Sequence, residues 1–336
     1  MSYTHFPHGI TSFGVPVGPN TQGLTGDAFF VTAADSTTNK FRTWAEANLP
    51  HDKLFTTVAD AEDACVAGRN DTVYVFPGTY TTTTSLTWDK CNTHLVGLGG
   101  PLSQGGVGNG VFINTETAAQ AQVIDIQGDQ CMMYNVHLRN AGANATNYTA
   151  LKVSNGENFY AEGCQFTGMA ATTQVTCTTG SSLWFYSTDN SNKPWGARFV
   201  NCRIGSASET IRTAGFVILF SGAIAYAPKY IKFDGCTIEG YCATDTCAAV
   251  HIDAHAVVDR YVWFNGCLFY NFSVNNATAM NQVFDNADAG RSLGILVTNC
   301  AAKGYTSWDT GSTRTWGCFG ADNTGYGIME NLGALA

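Results

Sequence analysis

Five short segments of the chain are copies of one another: Ala161 to Phe166, Phe199 to Ile204, Phe233 to Ile238, Phe264 to Phe269 and Val297 to Ala302. Each carries a cysteine at its fourth position, Cys164, Cys202, Cys236, Cys267 and Cys300. A sixth copy, Met133 to Leu138, has Val136 in that place, and the steps between column members are 28, 38, 34, 31 and 33 residues. A recurring unit of this length means stacked coils, and the uneven steps mean loops of varying size between them.

The residues around the column say what each coil contains. Met133, Ala161, Phe199, Phe233, Phe264 and Val297 form one apolar set, and Cys131, Phe159, Ala197, Ile231, Val262 and Ile295 form a second, two residues earlier. The intervening positions vary freely, among them Tyr160, Arg198, Lys232 and Trp263. This is the period-two alternation of a strand with one buried face. Just before the column stand Asn135, Gly163, Asn201, Gly235, Gly266 and Asn299, residue types that accept a left-handed backbone at low steric cost, so a tight corner is predicted there. A second short strand follows the corner. The runs Leu151 to Val153, Leu183 to Phe185, Phe216 to Ile218 and Ala249 to Ile252 supply a third. Three strands per coil predict an all-β, right-handed, single-stranded parallel β-helix. Asp71 to Tyr80, followed by Leu95 to Gly100, resembles the opening coils of pectate-lyase-like β-helix proteins. An open end of such a stack needs a cover, and the spacing of Val58, Ala61 and Cys65 before Gly68 predicts a capping helix within residues 55–68.

The predicted organisation is an arm over 1–25, a cap region with the helix over 26–70, the β-helix over 71–310 and a C-terminal cap or tail over 311–336. The net charge of −9, with 13% charged residues, shows no basic nucleic-acid footprint. No run approaches the ~18 apolar residues of a membrane span, and the N-terminus lacks the features of a secretion signal. The chain has twelve cysteines. Because Val136 substitutes in their column, the column reads as buried free thiols, which fits folding in a reducing cytoplasm.

Four places are candidates for function. Cys242 to His255 combines finger-like cysteine and histidine pairs, yet the gap from Cys247 to His251 is too short for a zinc finger. His251, Asp253 and His255 would form a polar stripe on a strand, open to a metal or catalytic role or to a solvated surface. Glu162 and Asp234 face outward two coils apart, about 9.6 Å at ~4.8 Å per strand, just beyond the range of an inverting glycosidase pair. Surface decoration is the plainer reading of the two acids. The run Ala214 to Phe220 is apolar on both faces, and with Trp184 and Tyr186 it suggests an oligomer interface built from Trp184, Tyr186, Val217 and Leu219. A loop folded over that face is the alternative. Last, the Pro- and Gly-rich N-terminus carries spaced apolar side chains and reads as an arm that orders against a partner.

That arm, from His5 to Pro16, resembles the opening of small β-helix virion proteins of tailed bacteriophages encoded among head genes, and the tail Gly325 to Leu332 is similar in character. The resemblance implies a non-enzymatic decoration or cement protein on the virion head surface, synthesised in the host cytoplasm. It would be a homotrimer bound to the major capsid protein through His5, Phe6, Pro7, His8, Ile10, Phe13, Val15 and Val17. No catalytic residue, metal or cofactor is expected on that reading. The alternatives are a tailspike-like polysaccharide depolymerase and a non-catalytic adhesin for a host surface glycan.

Overall fold

The computed structural model describes residues 11–12, 15–16, 26–33, 40–99, 110–117, 120–142, 148–187, 194–206, 211–222, 229–242, 244, 246–253, 260–272, 280–287, 294–308, 314–316 and 319–321. Three parallel sheets of 11, 9 and 8 strands run through them, and from Thr72 onward the chain visits the sheets in the same cyclic order. The first sheet contains Met132–Tyr134, Tyr160–Glu162, Arg198–Val200, Ile231–Asp234, Val262–Asn265 and Ile295–Thr298, each paired in register with the next. The second begins just after the corner, as in Val136–Asn140, Gln165–Thr167 and Arg203–Gly205. The third contains Gln122–Ile126, Thr149–Val153, Leu183–Ser187, Phe216–Gly222, Ala248–Ile252 and Met280–Asn286. The predicted parallel β-helix is the fold observed.

Corner chemistry explains the turn from first to second sheet. All six predicted positions have positive φ, from 50° at Asn201 to 63° at Gly235. The two residue types also cooperate between coils. A Cβ on Gly163 would meet Asn135 Oδ1 at 2.6 Å, and one on Gly235 would meet Asn201 Oδ1 at the same distance. An asparagine side chain therefore fills the space that a glycine in the next coil leaves open.

Inside, equivalent side chains stack coil on coil. Phe199, Phe233 and Phe264 form a continuous pile with centroids 5.0 and 4.6 Å apart, and Phe185 stacks on Phe220 at 4.8 Å. Such offset pairs add to the area that each ring buries. The cysteine column is buried beside them, and its thiols are free. Each Sγ lies 3.5 Å from a carbonyl of the preceding coil: Cys164 on Met133, Cys202 on Ala161, Cys236 on Phe199, Cys267 on Phe233 and Cys300 on Phe264. Burial pushes the Cys202 thiol far above its ordinary range, so it is an inert core group.

The parallel pairing starts earlier than the cysteine repeat. Ala28–Val31 pairs with both Leu54–Phe55 and Thr72–Val75, and at the other end Arg314–Trp316 and Phe319–Ala321 continue two of the sheets. The strands at the N-terminal end have no column cysteine and so lack the repeat's mark, whereas in the sequence Gly317 and Cys318 carry it between the last two. The helix expected within 55–68 spans Val58–Ala64, with Thr57 Oγ1 accepting from the Asp60 N–H and Val58 and Ala61 joining the main core. A helix that the repeat does not signal, Lys40–Asn48, lies nearby. Its Ala45, with Leu49 just beyond it, packs with Phe30, Tyr74 and Phe76.

Candidate active site on the third-sheet wall

Register decides which outward side chains become neighbours. On the third sheet one column reads Thr87, Asp125, Lys152, Trp184, Leu219, His251 and Asp285, one residue from each successive coil. His251 Nδ1 lies 2.7 Å from Asp285 Oδ2. A carboxylate only accepts, so Nδ1 is the donor of this bond. Gln282 Nε2 donates to the other Asp285 oxygen at 2.9 Å, which fixes the carboxylate. The Phe216 ring lies flat on the imidazole, with centroids 4.0 Å apart and planes 7° apart. The side chains of His251 and Asp285 remain 17% and 36% exposed, so solvent and solutes reach the pair.

Two coils toward the N-terminus the same wall becomes aromatic. Trp184 and Tyr186 lie 4.8 Å apart, with the Lys152 ammonium 5.0 Å from one ring and 4.8 Å from the other. Trp184 Nε1 donates to Ser221 Oγ at 2.7 Å. Lys152 also pairs with Asp125 at 3.4 Å, whose oxygens accept from Ser154 and Gln127 as well. An oriented imidazole beside a polar and aromatic strip can move a proton on a bound sugar.

The other sequence candidates fare differently. Asp253 follows His251 beyond the end of the strand, and His255 lies outside the described residues. The partner of His251 is therefore Asp285 in the next coil, not the local stripe. Cys242 and Cys247, which lie outside the column, are disulfide-bonded to each other and so are not ligands. Among the described residues no three His, Cys, Asp or Glu side chains converge as a metal site would require.

Glu162 and Asp234 do occupy one column, separated by Val200. Asp234 is saturated. Arg198 reaches Oδ2 at 2.9 Å, Lys232 reaches Oδ1 at 3.1 Å and Asn265 donates at 3.2 Å. Burial alone would raise its pKa, but these donors together hold the carboxyl below its usual range. Asp234 is thus a poor proton donor.

The expected oligomer interface divides. Trp184 and Tyr186 are on the outer wall, whereas Val217 joins the main core at 1% exposure together with its neighbour Ile218, so the alternation of the strand breaks there. Leu219 faces outward in register yet is 4% exposed, packed with Phe216, Ala248 and Trp184. Of the arm, His5, Phe6, Pro7, His8, Ile10, Phe13 and Val17 lie outside the described residues. For Val15 only the backbone is described, paired antiparallel with Ser12. A groove of about 400 Å³ near the first coils is lined chiefly by threonines, including Thr57, Thr79 and Thr81. No carboxylate, histidine or cysteine is among its lining residues.

No protein-family model and no curated protein matches the chain. Among solved structures it is similar to pectin methylesterase PemA from Erwinia chrysanthemi, with a TM-score of 0.56 and 13% identity, covering 91% of this chain and 92% of that one. It is also similar to pectate lyase Pel9A, with a TM-score of 0.50 and 14% identity, covering 90% of this chain and 78% of that one. These likenesses establish the pectate-lyase-like parallel β-helix. They also correct the expectation of a non-enzymatic chain, since both similar structures are carbohydrate-active enzymes.

Proposed function

We propose that the chain is a polysaccharide-acting enzyme, with His251 as the proton-transferring group and Asp285 as the residue that orients it. The part-buried 2.7 Å His251–Asp285 pair, two coils from the Trp184 and Tyr186 rings, is the observation that carries this reading. The fold shared with pectin- and pectate-processing enzymes supports it at the level of architecture, which by itself does not fix chemistry. A flat outer wall with side chains repeating at each coil suits an extended polymer laid along the helix axis.

The test is incubation of the full chain with a panel of plant, algal and bacterial polysaccharides. New reducing ends, unsaturated sugars and released ester groups are followed together. The wild type is expected to process at least one polymer and His251→Asn to lose that activity. A panel left intact, or a variant as active as the wild type, overturns the proposal.

The association with a tailed-phage particle and the trimeric state belong to the same proposal as a virion-borne depolymerase. They rest on the resemblance of the arm. Sedimentation of the purified chain tests the trimer, and a density map of a particle tests the location.

A further inference from the structure

A sugar-binding subsite needs apolar area held still and polar groups that match the sugar's own charge. The Trp184 and Tyr186 rings meet the first requirement. Lys152 packs against both, and the indole N–H is tied to Ser221, so little rotamer freedom remains to be lost when a ligand arrives.

The charge pattern meets the second in a specific way. Lys152 is the one cation among the described residues of the column from Thr87 to Asp285, and Asp125 already engages it at 3.4 Å. The His251–Asp285 pair carries no excess positive charge, because the carboxylate offsets any proton the imidazole takes. A sugar carboxylate placed on this strip would find no unpaired cation at either end.

We propose that Trp184 and Tyr186 form a subsite for an uncharged sugar ring, in a glycan running along the helix axis toward His251 two coils away. At ~4.8 Å per strand the separation is about 9.6 Å. The substrate class is accordingly a neutral glycan at this position, in contrast to the pectate named for one of the structurally similar enzymes. This inference rests on the proposed catalytic reading for its direction, but its binding test stands apart from turnover.

The experiment is calorimetric titration of the full chain with cello-, manno- and galacto-oligosaccharides and with oligogalacturonates of equal length. At least one neutral series is expected to bind more tightly than the uronate series. Trp184→Leu and Tyr186→Leu are each expected to weaken that binding at least tenfold. Leucine keeps Leu219 covered, and thermal melting of each variant verifies its fold. Tighter binding of the uronate series, no neutral binding at millimolar concentration, or full affinity in both folded variants overturns the inference. If neutral binding depends on the rings but no polymer is processed, the subsite stands and the catalytic reading falls. If His251→Asn abolishes turnover while the ring variants bind normally, the reverse holds.

Discussion

The first-sheet wall around Asp234 and the third-sheet wall around His251 are built by the same register rule, yet they differ in saturation. Asp234 receives Arg198, Lys232 and Asn265, and Asn265 is in turn tied to Thr298 and through it to Trp263. Every polar group in that ladder has a structural occupation. On the third wall Asp285 serves His251 and Gln282, and among the described residues no partner is found for His251 Nε2. Stacking alone puts charged side chains together on any β-helix wall. What distinguishes a site is a titratable atom that the stack leaves open and solvent reaches.

The largest effect that tests this contrast is on turnover. His251→Asn is expected to lower activity on the processed polymer at least 100-fold, about 2.7 kcal/mol in the barrier. Asp234→Asn is expected to leave turnover within twofold while lowering stability by about 1 kcal/mol through its lost charge-assisted bonds. Paired assays of both variants break the comparison if the order is reversed.

The coil architecture was legible because Asn and Gly mark each corner and one apolar column recurs through it, from Val136 to Cys300. The first coils were less so. Ala28–Val31 and Leu54–Phe55 pair in the first sheet without a cysteine, and a helix lies between them, so no spacing marks their membership. The catalytic candidate was half legible. His251 was visible as an outward histidine, but attention to its own strand favoured Asp253 and His255. Asp285 lies 34 residues on. It becomes a neighbour only when the coil-to-coil register is known, and loops of unequal length hide that register. Val217 was misplaced for a different reason: two successive residues, Val217 and Ile218, both turn inward, and an all-apolar run leaves no polar residue to mark where the alternation breaks.

Buried histidines sharpen the contrast by showing what an unpartnered imidazole does when solvent cannot reach it. His94 is 1% exposed, and neither ring nitrogen has a hydrogen-bond partner. Burial drives its pKa down to about 4, with Asp71 opposing weakly. The folded value lies below the unfolded one near 6.5, so the neutral form's stability is fully present above pH 6.5 and is lost as pH falls toward 4. The expected loss attributable to His94 is about 2 kcal/mol between pH 7.5 and 4.5. Denaturant midpoints at the two pH values should differ less in His94→Leu than in the wild type. An identical pH slope in both proteins would show that His94 is not titrating as a buried group.

Glu62 tests the same logic with the opposite sign. Its side chain is buried at the cap helix, one carboxylate oxygen has no partner, and Lys90 stands 3.5 Å from the other. Burial raises the carboxyl to about 7 against the pull of Lys90. The folded protein therefore holds a proton that the unfolded chain releases, and stability declines as pH rises from about 4.5 to 7. Glu62→Gln is expected to gain about 1 kcal/mol at pH 8 and nothing at pH 4. A loss of stability at pH 8 would mean that the Lys90 pair outweighs the cost of burying the charge.

The smallest expected effect is at Glu162, and it bears most directly on which wall is active. Glu162 accepts from the Tyr160 hydroxyl at 2.8 Å and shares its column with Asp234, with Val200 between them. An acid and base acting together across a sugar need one protonated carboxyl and one ionised carboxylate open to the reacting atoms. Asp234 is ionised, but Arg198, Lys232 and Asn265 already engage its oxygens, so it is not open for the second role. Glu162→Gln keeps an acceptor for Tyr160 and nearly the same volume. Its stability is expected to stay within about 0.5 kcal/mol of the wild type and its turnover within twofold. Melting curves and reducing-end assays on one preparation check both. A tenfold loss of turnover in a variant with unchanged melting would move the chemistry to the first sheet and leave the His251–Asp285 pair as an exposed ion pair of the kind that contributes little.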